Sequence, residues 1–293
     1  MKIILTGSLG NISLPLAQQL VQQGHTVTVI SSKPDKQQAI EALGATAAIG
    51  SVDDAAFLAA TFAGADAVYL MVPPNFTVAD SRAYHRRLGY IYAQAVQQAG
   101  VRRVVQLSSW GAHLTEGSGG IIGTHDVEEI LAQVPGLDLT RLRPTSFYSN
   151  MFSFIGMIKA VGAIGVNYPG STRVAFVHQR DIATAAAEEL TRPATAPGLR
   201  VRYVASDERT ADEVAAALGA AIGRPTLPWR ALTDEQMQHN LTQHGLPADR
   251  AQEIVDIYAS IRTGRLSEDY KQHKPTLGQV KLEDFAQEFA AAF

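Results

Sequence analysis

The chain has 293 residues, 46% hydrophobic and 18% charged, with a formal net charge of −3. This suits one large domain or two intimate ones with a sizeable core, and the charge supplies no basic field for nucleic acid. The absence of cysteine excludes disulfides, thiolate metal sites and cysteine nucleophiles together.

The chain opens directly into an apolar strand without a basic leader, and no apolar span of about 18 residues follows. Neither a secretory signal nor a membrane helix is expected, and a cytoplasmic location is. Ile3-Ile4-Leu5 leads into Thr6-Gly7-Ser8-Leu9-Gly10-Asn11, then an apolar-periodic segment. That is strand, glycine turn, helix. Such a turn brings backbone N–H groups and a helix N-terminus up to an anion, usually a dinucleotide pyrophosphate. Gly7 supplies the positive φ of a tight turn, and Gly10 leaves room for backbone to approach phosphate. Ser13 stands where a third glycine is expected. It is small enough for close helix–strand packing and is read as an N-cap, which puts Pro15 in the first turn. Alone, the stretch also fits a tight connection with no ligand, so context must decide.

Residues 26–30 form a β-branched second strand. An NAD-binding unit usually carries Asp or Glu at its end to hold the ribose 2′-OH. Here Ser31-Ser32-Lys33 follows. Nothing there repels a 2′-phosphate, Lys33 can pair with it and the serines can donate to it, which favours NADP(H) over NAD(H). The bland alternative makes Lys33 a solvated loop residue. A short helix at 35–43, a third strand at 45–49, a helix from Asp53 and a buried fourth strand at 65–72 follow, the last stopped by Pro73-Pro74. Residues 80–99 read as a long helix ended by Gly100, with Tyr84, Tyr90 and Tyr92 as packing residues.

The fifth strand, 101–107, runs into Ser108-Ser109-Trp110-Gly111. Thr124 is read as the N-cap of a helix over 124–133, and 137–142 as the sixth strand. The alternation implies a parallel, doubly wound sheet with its ligand crevice at the carboxyl ends of the strands. After Pro144 the pattern changes. Residues 147–161 are aromatic and methionine-rich, suited to a pocket wall or an inter-domain helix. A strand at 173–177, a helix capped by Asp181, a strand at 200–204 and a helix at 210–222 come next. Helices at 233–244, 248–263 and 282–292 close the chain, and Thr233 with Gln236 has capping-box spacing.

Leu139-Thr-Arg-Leu-Arg-Pro144, continuing as Thr-Ser-Phe-Tyr-Ser-Asn-Met151, resembles the NmrA-like family of atypical short-chain dehydrogenase/reductases, which includes bacterial quinone reductases and isoflavone-reductase relatives. Thr6–Gly10, Gly50–Asp53, Val177–Ala183 and Val204–Gly223 resemble its glycine loop, third-strand exit, helix start and strand–helix pair, in the family's order. The resemblance implies an α/β fold: a Rossmann doubly wound parallel sheet over 1–150, completed by about 172–206. A smaller, mainly helical C-terminal lobe, 151–171 and 207–293, would bind substrate. It implies NADP(H), with Gly7, Leu9, Gly10, Asn11 and Ile12 at the pyrophosphate and Ser31, Ser32 and Lys33 at the 2′-phosphate end. Asp53 would lie near the adenine, Val72 and Pro73 on the adenosine side, and Pro144 and Phe147 near the nicotinamide. Ser108, after the fifth strand, joins the cofactor set. Ser13 and Ser51 depart from the family's glycine and aspartate, and His178 replaces another aspartate.

Short-chain dehydrogenases generally pair a serine with Tyr-x-x-x-Lys; no such motif follows Ser108 or Ser109 here. Many NmrA-like members place a lysine before the Val-Glu pair of the next helix, where this chain reads Gly123-Thr-His-Asp-Val-Glu128. His125 is the nearest titratable substitute and could donate to a substrate oxygen. The competing reading makes it a packed or hydrogen-bonded helix-start residue, with Asp126 and Glu128 favouring the helix dipole. Trp110 and Tyr148 are substrate-pocket candidates. The histidines lack metal-ligand spacing, so no metal is expected, and no GxSxG elbow supports a hydrolase. The expected function is hydride transfer from NADP(H) to a small electrophile such as a quinone or enone. The alternative is a non-catalytic NADP(H) sensor with a protein partner.

Overall fold

The structure, a computed structural model, describes residues 1–75, 77–193 and 196–293. Two compact units emerge. The first comprises residues 1–109, 123–143 and 182–202; the second comprises 110–122, 144–181 and 203–293.

The chain enters the first unit through β1 (Lys2–Leu5), α1 (Ser13–Gln22), β2 (Thr26–Ser31), α2 (Gln37–Ala42), β3 (Thr46–Ile49), α3 (Ala55–Phe62) and β4 (Ala67–Leu70). It continues through α4 (Ser81–Ala99), β5 (Arg103–Leu107), α5 (Ile122–Ala132) and β6 (Asp138–Pro144). β1 pairs in parallel with β2 and β4, placing Leu5 beside Val29 and Tyr69. The order β10-β6-β5-β4-β1-β2-β3, with β10 (Gly198–Val204), is that of a doubly wound sheet. It reverses between β1 and β4, where such sheets bind ligands. Ile4, Val68, Leu70, Val104 and Leu139 pack with Leu88, Tyr92 and Leu131 of the covering helices in one apolar cluster. β-branched and leucine runs buried on both faces are what a parallel sheet requires.

The second unit contains β7 (Ser146–Phe147), α6 (Phe154–Val161), β8 (Ile164–Val166), β9 (Arg173–Val177) and, after α7 (Gln179–Thr191), β11 (Asp207–Thr210) and α8 (Ala211–Ala221). β12 (Trp229–Ala231), α9 (Asp234–Gln243), α10 (Ala248–Arg262), α11 (Glu268–Gln272) and α12 (Leu282–Ala292) complete it. Its core is aromatic: Tyr148 stacks between Phe176 and Phe285, with centroids at 5.7 and 5.1 Å. The capping boxes Thr210–Glu213 and Thr233–Gln236 start α8 and α9.

Several local expectations are corrected. Ser13 is not an N-cap: Ile12 occupies that position, and the buried Ser13 hydroxyl donates to the Thr6 carbonyl at 3.0 Å. Thr124 does not cap α5, because a 3-10 turn at Gly119–Ile121 feeds the helix from Ile122. Asp54, not Asp53, caps α3. Asp181 lies inside the first turn of α7, where its carboxylate accepts from the Ser206 hydroxyl and the N–H groups of Gln279 and Val280. Tyr84 and Tyr92 are buried in α4 as expected, but Tyr90 is 57% exposed. The helix-start differences arise where a side chain that could serve a local turn met a stronger tertiary partner, or where the turn began elsewhere.

Candidate functional site

The glycine turn connects the carboxyl end of β1 to α1. The Thr6 hydroxyl donates to the Tyr69 carbonyl at 3.2 Å and accepts from the Met71 N–H at 2.8 Å, tying this end of β1 to the exit of β4. Gly7 lies at φ +93°, and a Cβ there would fall 2.6 Å from Ser13 Oγ. Among the described residues, Ser8, at φ +53°, is the only non-glycine with positive φ. Its N–H donates to the Ile30 carbonyl at 3.1 Å and its hydroxyl to Ser31 Oγ at 2.9 Å. The first turn of α1 carries neither a side-chain cap nor an acidic residue. Its leading N–H groups and the positive end of its dipole therefore lack a side-chain acceptor, while Gly10 and Asn11 stand exposed beside them. A nucleotide pyrophosphate fits such a cradle.

Neighbouring strand exits complete the arrangement. Ser31 is buried and braces the loop, accepting from Ser8 and from the Lys33 N–H at 3.2 Å. Ser32 and Lys33 are exposed. Gly50, after β3, donates its N–H to the Ser31 carbonyl at 2.9 Å. Asp53 pairs with Arg87 of α4, and its N–H donates to Ser51 Oγ at 3.1 Å. Val72 and Pro73 are half-buried after β4, where the Tyr84 hydroxyl donates to the Pro73 carbonyl at 3.0 Å. Gly7, Leu9, Gly10, Asn11, Ile12, Ser31, Ser32, Lys33, Asp53, Val72 and Pro73 thus all follow the carboxyl ends of β1 to β4.

The exit of β5 holds a cluster that sequence reasoning missed. Ser108 Oγ donates to Glu128 Oε1 at 2.5 Å, and Arg143 donates to the same carboxylate through Nε at 2.9 Å and Nη2 at 2.6 Å. Glu128 is fully buried. It is an ion-pair partner rather than a dipole-compensating surface acid. The available signal was a glutamate between the apolar positions Val127 and Leu131, opposite two arginines on a central strand. His125 is half-buried in a surface groove between α4 and α5 with Arg86, Tyr90 and Ile130. Asp126 turns to Arg82, whose Nε donates at 2.6 Å; that bond holds the Asp126 carboxyl below the usual carboxylate range.

In the second unit the backbone N–H of Trp110 donates to the Pro144 carbonyl at 2.9 Å. Trp110 is 4% exposed, meets Tyr270 edge-on at 6.3 Å and lines a cavity of about 430 Å³. Ala175 and Ile261 add apolar wall; Arg173, Lys271 and Lys274 bring cations, and Glu208 a carboxylate. Burial would raise the Glu208 carboxyl, but hydrogen bonds from Lys274 and Tyr270 hold it below its ordinary value. Phe147 is half-buried in the β7–β9 ladder. Tyr148 is fully buried in its aromatic stack, away from the cavity wall; burial pushes its hydroxyl well up, and that hydroxyl has no hydrogen-bond partner among the described residues. His178 is held by Glu288 at 3.2 Å and accepts the Arg180 N–H at Nδ1. Among the described residues, no group of three or more His, Asp or Glu side chains could hold a metal, and no helix is long and apolar enough to cross a membrane.

Comparison with known proteins agrees with this geometry. The model of a family described as NAD(P)H-binding matches residues 7–193. An NAD(P)H azoreductase from Xenophilus azovorans is 26% identical over 259 residues, 88% of this chain and 86% of that protein. A (4-alkanoyl-5-oxo-2,5-dihydrofuran-3-yl)methyl phosphate reductase from Streptomyces griseus is 29% identical over 224 residues, 76% and 74% of the two chains. Among solved structures, an NADPH-dependent quinone oxidoreductase from Escherichia coli, complexed with NADPH, superposes with a TM-score of 0.82 at 23% identity, covering 98% of this chain and 99% of its own. The match over the glycine turn, the strands that follow it and α7 shows that the chain belongs to the NAD(P)H-binding family, in keeping with the NmrA-like pattern of its sequence.

Proposed function

We propose that the protein is an NADP(H)-dependent oxidoreductase that delivers a hydride to a small electrophile such as a quinone or an enone. The carrying observation is the uncapped, acid-free N-terminus of α1 beside a β2 exit that ends in exposed Ser32 and Lys33 instead of an acid. The first suits a pyrophosphate and the second a 2′-phosphate. When bound, the reduced nicotinamide supplies the hydride, and a quinone completes its two-electron reduction with a proton from solvent. This chemistry asks little of a protein acid, which matches a chain without Tyr-x-x-x-Lys. The relatives named for azo compounds and quinones point to the same class of acceptor.

The missing lysine also supports a second reading, a sensor that binds NADP(H) without turnover. Titrating purified protein with NADPH and NADH, then following nicotinamide absorbance with a quinone panel, separates the two. The reductase binds NADPH tightly and consumes it with at least one acceptor. Tight binding without turnover on any acceptor supports the sensor, and binding of neither nucleotide overturns both.

A further inference from the structure

The cavity beside Trp110 has a wall of mixed chemistry. Trp110, Ile261 and Tyr270 give apolar lining, with the Trp110 and Tyr270 rings edge-on to one another and nearly fully buried. Around it stand three cations and one acid. The acid, Glu208, is already engaged, by Lys274 Nζ at 2.7 Å and by the Tyr270 hydroxyl at 2.9 Å. Arg173 donates to the Glu208 carbonyl at 2.8 Å, which anchors its guanidinium at the wall. Lys271 has no carboxylate within ion-pair distance among the described residues. The wall therefore combines apolar groups with an excess of cations, and its volume of about 430 Å³ falls in the range of small-molecule sites, roughly 300–1,000 Å³.

We infer that this cavity binds a compact aromatic anion, of the arylsulfonate or arylcarboxylate class, with its ring against Trp110 and Tyr270 and its charge toward Lys271 and Lys274. The inference rests on the reductase reading only where the bound anion also carries a hydride-accepting group such as a quinone ring; the sulfonate or carboxylate serves binding alone. Aromatic walls favour a flat apolar body, and an anion near the unpaired Lys271, where the lining cations outnumber the one acid, gains attraction that an uncharged analogue of equal size does not. Glu208 tunes the site: it offsets one cation and would repel the ligand if Lys274 were removed.

Calorimetric titration of the full chain, without nucleotide, with naphthalene-2-sulfonate and with uncharged 2-naphthalenemethanol tests the inference. The sulfonate is expected to bind about tenfold more tightly. Lys271→Gln should weaken sulfonate binding about threefold, in the range of an exposed ion pair, and leave the alcohol unchanged. Lys274→Gln should cost more than Lys271→Gln, because it also uncovers Glu208. Glu208→Gln should strengthen sulfonate binding, a gain that loss of folding could not produce. Equal affinity for the two ligands, or a Glu208→Gln variant that binds the sulfonate no better, overturns the inference. NADPH turnover with a sulfonated and an unsubstituted naphthoquinone is measured separately. Selective sulfonate binding by a protein that turns over no acceptor of the quinone panel leaves the anion site standing without the reductase reading.

Discussion

Ser108 Oγ donates to Glu128 Oε1 at 2.5 Å, so the serine at the exit of β5 is committed to a buried carboxylate. In the sequence that serine is a free candidate for cofactor binding. In the fold its hydroxyl points at a glutamate that Arg143 grips through two nitrogens. The cluster locks α5 to the carboxyl ends of β5 and β6.

Its members should differ sharply when removed. Ser108→Ala leaves the Glu128–Arg143 pair intact and is expected to cost about 1.5–3 kcal/mol, the worth of a hydrogen bond to a charged group. Glu128→Ala takes the carboxylate from a buried guanidinium and is expected to cost about 3–5 kcal/mol. Urea unfolding of both variants measures the difference; equal losses would show that the ion pair is not the larger element.

At the glycine turn, Gly7→Ala must hold a Cβ at φ +93° and 2.6 Å from Ser13 Oγ. Strain of this kind costs about 1–3 kcal/mol. The loop that presents the α1 N-terminus should shift with it, so NADPH affinity should fall along with thermal stability. Ser13→Gly, introduced second, removes the close oxygen and should restore part of both. No recovery would show that the Ser13 oxygen is not the source of the strain, leaving the backbone dihedral and the Met71 side chain, 3.0 Å from the same Cβ.

Lys33→Ala should weaken NADPH far more than NADH. A charge-assisted bond to a phosphate contributes about 1.5–3 kcal/mol, equivalent to roughly a tenfold to hundredfold change in affinity. Parallel titrations with the two nucleotides give the answer directly. The same loss for both would mean that Lys33 does not read the 2′-phosphate.

In the second unit, Asp234 receives Arg262 and Asn167, which lower its carboxyl from 3.8 to about 2. A carboxyl depressed on folding contributes stability that is complete above its unfolded value and lost as pH falls through the folded one. The pair should therefore weaken between about pH 4 and pH 2. Asp234→Asn should flatten that part of an acid-unfolding profile and leave the neutral region nearly parallel to wild type. An unchanged acid limb would assign acid unfolding to other carboxylates.

Asp181 is expected to be among the most sensitive positions of the second unit. It accepts from the Ser206 hydroxyl at 2.5 Å and from the N–H groups of Gln279 and Val280 at 3.1 and 3.2 Å. Asp181→Ala strips three donors of their acceptor and should destabilise by about 2–4 kcal/mol in urea unfolding. A loss under about 0.5 kcal/mol, as at an ordinary surface site, would contradict this role.

What the amino-acid sequence determined by itself is what depends on near neighbours along the chain. The alternation of apolar strands with periodic helices dictates a doubly wound parallel sheet, because only that layering buries both. Gly7 marks the turn because few other residues take its positive φ, Gly10 because a Cβ there would crowd the Gly7 carbonyl, and Ser31-Ser32-Lys33 marks a β2 exit without an acid. Thr233–Gln236 reads as a helix start because a capping box lies within four consecutive residues, and the structure forms it. Tertiary structure decided what depends on partners distant in sequence. Ser13 leaves its cap for the Thr6 carbonyl, Asp181 for Ser206 and the 279–280 backbone, and Glu128 leaves the solvent for Ser108 and Arg143. The short strands β7, β8, β11 and β12 exist only through their ladders and carry too few residues to show a period. The charged rim beside Trp110 joins residues 110, 173, 208, 271 and 274, which no local pattern connects. Short polar side chains satisfy whichever backbone or charge the fold brings within reach, and that choice is made only when the chain is packed.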